Sequence, residues 1–140
     1  MGPNCFGIIN PFSNLSTTGL MSLYITPYVP KGSVAVITQS GNLGTFILKL
    51  AFERGFGISK FVSSGNEADL HFEDYLEYMA KDPDTKVIVG YVEELREGHR
   101  FLEMAKEITE KKPIVILKAG RTKTGHKAAK AHTGAIAGSD

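Results

Sequence analysis

The chain has 140 residues, of which 42% are apolar, so it is long enough to bury the core of one domain. Sixteen Lys and Arg against 15 Asp and Glu leave a net charge of +1, which argues against a general affinity for nucleic acid. The single cysteine excludes an internal disulfide and a cysteine-based zinc site, and it fits a reducing, cytoplasmic location. No apolar run approaches the roughly 18 residues that a membrane span needs, so we expect no membrane partner.

The first 32 residues are rich in Pro, Asn, Ser and Thr. Their one short apolar run, residues 23–25, is compatible with an edge strand or a hairpin arm. Because proline and small polar residues punctuate this region, we expect residues 1–32 to be a connecting segment and residues 33–140 to be the domain.

From residue 33 onward, β-prone apolar runs alternate with amphipathic helical patterns. The pattern predicts strands at residues 34–37, 58–62, 87–89 and 113–117, with a helix in each interval between them. The second helix is the clearest, with apolar residues from Phe72 to Ala80 on one face and an end at Asp82, before Pro83. Such alternation indicates an α/β fold with a doubly wound parallel sheet.

Ligands of doubly wound sheets bind beyond the carboxyl ends of the strands. Four segments are therefore expected to converge on one edge: residues 39–44, 63–68, 91–96 and 118–140. In the first, Ser40, Gly41 and Asn42 open a helix, where free amides and the helix dipole favour an anion such as phosphate. The alternative is a plain tight turn, made possible by Gly41 and capped by Ser40 or Asn42.

The second and third segments offer further polar groups. Residues 63–69 contain two serines, a glycine and Asn66, and Asp69 is expected to be the N-cap of the next helix. Glu93 and Glu94 follow the third strand. Carboxylates there are usually partners of the helix dipole, but one of them could instead hold a histidine ring in one tautomer.

The fourth segment contains the strongest candidate nucleophile. Residues 111–130 hold seven of the 16 basic residues and no acidic one, and His132, Thr133 and Gly134 follow. A neutral imidazole can attack phosphorus, and small neighbours let a phosphate approach closely. The alternative is an exposed or structural histidine. No His or Cys pair has the spacing of a metal site, so we expect no metal ligands here, and Cys5 on its own is best explained as a packed thiol.

Six short motifs occur in order along the chain: Gly2-Pro3-Asn4-Cys5, Thr38-Gln39-Ser40-Gly41, the run 64–69, Asp82-Pro83, the run 112–115, and the run 131–135 that contains His132. In this order and spacing they resemble the NDP-forming acyl-CoA synthetases, such as the α subunit of ADP-forming acetate–CoA ligase and, more distantly, of succinyl-CoA synthetase. The resemblance implies a three-layer, flavodoxin-like, succinyl-CoA synthetase-like domain.

The resemblance also implies an activity. In this family, acyl-CoA, phosphate and ADP are interconverted with acid, CoA and ATP, by way of an acyl phosphate and a phosphohistidine. His132 matches the phosphorylated histidine, and Glu93 matches the carboxylate that orients it, with Glu94 as the alternative. The remaining matches are to phosphate-binding positions and to the loop that receives the thioester. The phosphate-binding positions are Ser40, Gly41, Asn42, Asn66, Thr133 and Gly134, and the CoA/acyl-binding positions are Asn4 and Cys5.

The family's partners are expected to lie outside this chain. A CoA-binding domain would precede residue 1, and an ATP-grasp domain or β subunit would bind ADP/ATP with Mg2+, in a fused chain or a hetero-oligomer. The chain ends eight residues after His132, so we expect a domain truncated at its C-terminus and inactive alone. Two alternatives are a synthetase-like regulatory module that senses acyl-CoA or phosphate, and a flavodoxin-like binding domain with no covalent step.

Overall fold

The computed structural model of the chain describes residues 1–18 and 29–120. A hairpin of two short strands comes first, followed by alternating strands and helices. The strands are β1 (Gly7–Asn10), β2 (Leu15–Ser16), β3 (Lys31–Thr38), β4 (Ile58–Ser63), β5 (Val87–Val92) and β6 (Ile114–Lys118), and the helices are α1 (Gly41–Arg54), α2 (Phe72–Lys81) and α3 (Gly98–Thr109). The apolar run at residues 23–25 lies outside the described residues.

The six strands form one sheet in the order β2-β1-β4-β3-β5-β6. The four strands β4, β3, β5 and β6 run parallel, which confirms the predicted doubly wound α/β fold. The chain first winds from β3 to β4 on one side and then crosses to β5 on the other. The carboxyl ends of β3 and its neighbours therefore form a topological switch point, where such sheets bind ligands.

The sequence analysis did not predict β1 and β2, and the sheet is mixed rather than wholly parallel. β1 pairs antiparallel with β4, and Ile9 faces Phe61 there and is buried. Four residues between Gly7 and Asn10 give too short a pattern to reveal a strand, because the strand depends on a partner more than 50 residues away in the chain. The proposed domain boundary after residue 32 stays a prediction.

Helices cover both faces of the sheet and complete three layers. On one face, Leu48 and Ala51 of α1 pack in a buried cluster with Val36 and Phe61. On the other face, residues of α2 such as Phe72 and Leu76 form a second cluster with strand residues of β3, β4 and β5, and α3 packs against its outside. Close contact of α1 with the sheet requires glycine at position 44, since a Cβ there would lie 2.7 Å from the Phe61 ring.

Local capping sets the helix boundaries. The Ser40 hydroxyl oxygen accepts a hydrogen bond from the Leu43 amide at 3.4 Å and caps α1. The expectation that Asp69 caps the next helix was wrong, because α2 begins at Phe72 with His71 as its N-cap. The backbone N–H of His71 donates to Asp74 at 2.9 Å, a reciprocal contact that Asp69 is placed too early to make. Asp82 ends α2 before Pro83, as predicted.

Among the described helices, none combines the length and the apolar character that crossing a membrane requires.

Candidate functional site

Three of the four segments expected to converge meet at the switch point. The loops after β3, β4 and β5, together with the N-terminal residues, form two adjoining pockets. The helix-start pocket is lined by Asn4, Cys5, Phe6, Gln39, Ser40, Gly41, Asn42 and Asn66. The carboxylate pocket is lined by Gln39, Gly65, Asn66, Glu67, Glu93, Glu94 and Arg96.

The helix-start pocket brings together six of the residues singled out from the sequence. Those expected to hold phosphate are Ser40, Gly41, Asn42 and Asn66, and those expected to face the thioester are Asn4 and Cys5. Gln39 and Asn66 line both pockets, so Glu93 lies directly beyond them. His132, Thr133 and Gly134 lie outside the described residues.

The side chain of Thr38 fixes the start of α1. Its hydroxyl donates to the Ser40 carbonyl at 2.8 Å and accepts from the Ser40 amide at 3.1 Å. The first amides of a helix, here those of Gly41 and Asn42, have no partner within the helix and point outward from its end. The Ser40 hydroxyl accepts from Leu43 and keeps its proton for a further acceptor. Ser40 can therefore cap α1 and bind an anion at the same time.

Gly41 has a different role from the one expected. The sequence suggested that it permits a tight turn, but its φ is not in the left-handed region. A Cβ at this position would meet only Phe6 at 3.4 Å and Ser63 at 3.9 Å. The absence of a side chain therefore leaves room above the helix start, where a ligand's phosphate can approach the amides.

The N-terminal residues form one wall of the helix-start pocket because they pair with the loop after β4. The Gly2 amide donates to Ser64 O at 2.8 Å, and the Asn66 amide donates to Pro3 O at 2.9 Å. Glycine is required at position 65, where φ is +67° and a Cβ would lie 2.5 Å from Pro3 O. This pairing carries Asn4 and Cys5 to the mouth of the pocket. Cys5 is exposed there, so the expectation of a packed thiol was wrong.

Gln39 joins the two pockets, and the sequence analysis assigned it no role. Its side-chain oxygen accepts from the amides of Glu93 at 2.6 Å and Glu94 at 3.0 Å. Its side-chain nitrogen donates to Glu94 O at 2.7 Å. One amide side chain thus satisfies three main-chain groups at the end of β5. The only signal in the sequence was its place in the motif 38–41.

Glu93 and Glu94 differ in their surroundings. Glu94 is exposed, whereas Glu93 is half-buried, and its Oε2 is buried without a hydrogen-bond partner among residues 1–18 and 29–120. Burial, the charge of the nearby Glu93 carboxylate and a hydrogen bond to that carboxylate raise the pKa of Tyr91 above its ordinary value. A buried carboxylate oxygen with no donor costs free energy unless a further group supplies one, so Glu93 is placed to accept a proton donor.

Glu67 is a second buried carboxylate, which the sequence analysis named only within a motif. It is 4% exposed, and it accepts hydrogen bonds from the Ser64 hydroxyl at 2.6 Å and the Phe72 amide at 3.2 Å. Burial raises the pKa of Glu67, and these hydrogen bonds only partly offset that effect. Ser64 and Phe72 lie in the scaffold, so Glu67 holds the loop after β4 against the start of α2, and Gln39 is a further partner of its carboxylate.

The end of β6 lies next to Glu93. The Lys118 ammonium donates to Glu93 O at 2.6 Å, and the Ala119 amide donates to Val92 O at 2.9 Å. The chain therefore leaves its described part, at Gly120, beside the carboxylate pocket. Within the described ranges, no group of three or more His, Cys, Asp and Glu is arranged to hold a metal ion.

Comparisons with known proteins agree with this architecture. The family described as "Succinyl-CoA ligase like flavodoxin domain" matches residues 31–140. Subunit α of ADP-forming acetate–CoA ligase II from Pyrococcus furiosus is 47% identical over 139 residues, which are 99% of this chain and 29% of that subunit. The ADP-forming acetate–CoA ligase of Methanocaldococcus jannaschii is 48% identical over 140 residues, 100% of this chain and 19% of that protein.

A solved structure shares the fold. The dinucleotide-forming acetyl-coenzyme A synthetase 1 of Ca. Korarchaeum cryptofilum, in complex with phosphate and ADP, matches with a TM-score of 0.85 and 41% identity. The match covers 99% of this chain and 29% of that one, so the chain spans less than a third of the length of each of these relatives. From the family match over residues 31–140, the chain belongs to the succinyl-CoA ligase like flavodoxin domain family.

Proposed function

We propose that this chain is the phosphoryl-relay domain of an ADP-forming acyl-CoA synthetase, which interconverts acyl-CoA, phosphate and ADP with acid, CoA and ATP. The observation that carries the proposal is the adjacency of the two pockets. A helix start suited to an anion adjoins a buried carboxylate oxygen that lacks a hydrogen-bond donor within the described ranges. An anion and an imidazole are the two groups that such a pair of pockets would accept.

The first step takes place at the helix start. The amides of Gly41 and Asn42 and the hydroxyl of Ser40 would hold phosphate against the N-terminus of α1. One phosphate oxygen attacks the thioester carbonyl carbon, the C–S bond breaks, and CoA leaves as its thiolate. Asn4 and Cys5, at the mouth of the same pocket, would face the thioester.

The second step transfers the phosphoryl group to His132. A ring nitrogen attacks phosphorus, the bond between phosphorus and the acyl oxygen breaks, and the acid leaves as a carboxylate. The Glu93 Oε2 atom would accept a hydrogen bond from the N–H of the other ring nitrogen and so keep the attacking nitrogen unprotonated. Glu93 fits this role better than Glu94, which is exposed. An oxygen of ADP then takes the phosphoryl group and regenerates the imidazole.

The binding of CoA and of the nucleotide requires partner domains or subunits. The relatives named above are ADP-forming ligases, and one solved relative holds phosphate and ADP. We propose that a CoA-binding domain delivers acyl-CoA. An ATP-grasp domain or β subunit would bind ADP/ATP with Mg2+, as a fused chain or a hetero-oligomer. A cytoplasmic location is proposed with them, supported by the single, exposed thiol of Cys5.

The test is run on the full enzyme that contains this chain, incubated with labelled ATP and Mg2+. We expect protein-bound label that is stable in base and labile in acid, as for a phosphohistidine. The label should be absent in His132→Asn and reduced in Glu93→Gln. Two matched variants serve as controls: His99→Asn, since that side chain is 88% exposed on α3, and Glu94→Gln.

Each result decides a part of the proposal. Full labelling of His132→Asn would remove the relay mechanism. A loss in Glu94→Gln with normal labelling of Glu93→Gln would move the orienting role to Glu94. An enzyme that binds phosphate and acyl-CoA but never takes up label would instead be a sensing module.

A further inference from the structure

The loop after β3 and the loop after β5 are joined by a single side chain, that of Gln39. Its amide group makes hydrogen bonds of 2.6, 2.7 and 3.0 Å to main-chain atoms of Glu93 and Glu94, and it also interacts with the Glu67 carboxylate. The Gln39 main-chain amide adds a fourth contact, to Tyr91 O at 3.2 Å. The end of β5 is thereby held to Gln39, which directly precedes Ser40, the N-cap of α1.

These bonds determine where the Glu93 side chain begins. A carboxylate that orients an imidazole has to be held within a fraction of an ångström, because misplacement of about 1 Å can cost roughly 100-fold in rate. The Lys118 ammonium also contacts Glu93 O, but Lys118 is an exposed side chain that shares its ammonium with Ala119 O. Gln39 is half-buried and is the contact that satisfies the Glu93 amide.

The start of α1 does not depend on the same side chain. Ser40 is held by the Thr38 hydroxyl through two hydrogen bonds, and Thr38 O accepts the Ser64 amide at 2.9 Å. Loss of the Gln39 amide group would therefore release the main chain of Glu93 and Glu94, just after β5, and leave the helix start in place. Effects on Glu93 and effects on phosphate binding are separable for this reason.

We propose that Gln39 is a positioning residue for the phosphoryl relay, acting through Glu93. This inference rests on the proposed function. Gln39 also lines the helix-start pocket, but its side-chain oxygen and nitrogen are bonded to the main chain of Glu93 and Glu94, so the role assigned to it is the placement of the Glu93 carboxylate. Its signature is a loss of kcat without a change in the KM for phosphate, and a complete dependence on the Glu93 carboxylate.

The experiment is a double-mutant cycle in the full enzyme with Gln39→Met, Glu93→Gln and both together. Methionine keeps the length of the side chain and removes all three hydrogen bonds. We expect Gln39→Met to lower kcat by about 10- to 100-fold with the KM for phosphate unchanged. In the Glu93→Gln background, the same substitution should have no further effect, because residues that act through one another are not additive.

Two further variants guard against a purely structural effect. Gln39→Glu keeps an oxygen for the amides of Glu93 and Glu94 but cannot donate to Glu94 O, so kcat should recover in part relative to Gln39→Met. Its added negative charge beside the helix start should raise the KM for phosphate. Thr109→Val removes a hydroxyl that bonds two carbonyl groups at the far end of α3, and it should leave both constants unchanged.

The outcomes separate the two proposals. If Glu93→Gln is fully active, the role given to Glu93 in the proposed function fails. Two results would overturn the role of Gln39 and leave the proposed function standing. In the first, kcat is lowered in Glu93→Gln but not in Gln39→Met. In the second, the two losses of kcat multiply in the double variant. If Gln39→Met does not fold, the test falls to Gln39→Glu. A Gln39→Glu enzyme that folds but has a kcat no higher than that of Glu93→Gln would also overturn the role of Gln39.

Discussion

Gly65 is the residue on which the wall of the helix-start pocket depends, and its replacement by alanine gives a quantitative test. Gly65 and Gly55 have nearly the same conformation, with φ of +67° and +72°. They differ in their surroundings, because a Cβ at Gly55 meets nothing within 4 Å, whereas one at Gly65 would lie 2.5 Å from Pro3 O and 2.7 Å from Asn4 C. Gly55→Ala is therefore a matched control for the backbone term.

The two costs can be worked out separately. A left-handed conformation costs an alanine about 1–2 kcal/mol, and the stiffer unfolded chain returns about 0.4–1 kcal/mol, so Gly55→Ala should lose roughly 1 kcal/mol of unfolding free energy. Gly65→Ala has the same cost of a left-handed backbone. In addition, its Cβ would overlap main-chain atoms of Pro3 and Asn4, which cannot rotate away. Overpacking of this kind costs about 1–3 kcal/mol more.

The assay is urea unfolding of both variants and the parent chain, compared at equal slope. We expect Gly65→Ala to be less stable than Gly55→Ala by about 1–3 kcal/mol. Equal stability of the two variants would show that residues 2–5 are not packed against this loop, and the reasoning about the pocket wall would be refuted.

Three other substitutions test the scaffold. Lys60 is 6% exposed and pairs with Asp82 at 3.1 Å. Lys60→Met leaves the buried Asp82 carboxylate without this partner, so it should lower the unfolding free energy, measured with denaturant, by about 3–5 kcal/mol, and a loss below about 1 kcal/mol would contradict this expectation. Burial alone raises the pKa of Asp82, but hydrogen bonds from Thr85 and Lys60 outweigh it and hold that pKa below the ordinary 3.8. The stability contributed by this carboxylate is thus present above pH 3.8 and lost as the pH falls through the depressed pKa. Asp82→Asn should therefore flatten the acid limb of a plot of unfolding free energy against pH, and an unchanged acid limb would count against this role of Asp82. Thr38→Val leaves the Ser40 amide without its partner and leaves the Ser40 carbonyl with the Gly44 amide alone. The substitution should cost about 1–3 kcal/mol and weaken phosphate binding in a calorimetric titration, whereas unaltered affinity would exclude this role of Thr38.

Much of the fold follows from local pattern. The strand at 34–37 was predicted because a continuous apolar run indicates a parallel strand buried on both faces. The convergence of Ser40, Asn66 and Glu93 follows from the same pattern, since the carboxyl ends of parallel strands share one edge. Topology alone therefore placed these residues near one another.

The remaining features depend on contacts between distant parts of the chain. β1 exists because it pairs with β4, and no periodicity in four residues reveals this. Gln39 bonds to residues 54 and 55 positions away, so its importance is invisible in its own neighbourhood. A tight turn was the alternative considered for Gly41, whereas the structure gives it an ordinary φ and places a Cβ there in ordinary contact with Phe6.

The central claim is that His132 carries a phosphoryl group while Glu93 orients it. Mass spectrometric mapping of the phosphorylated full enzyme, digested at neutral or alkaline pH, tests this most directly. We expect the phosphate on the peptide that contains His132, and we expect the yield of this phosphopeptide to be lowered in Glu93→Gln and unchanged in Glu94→Gln. Phosphate found on any other residue, or on His132 at full yield without the Glu93 carboxylate, would contradict it.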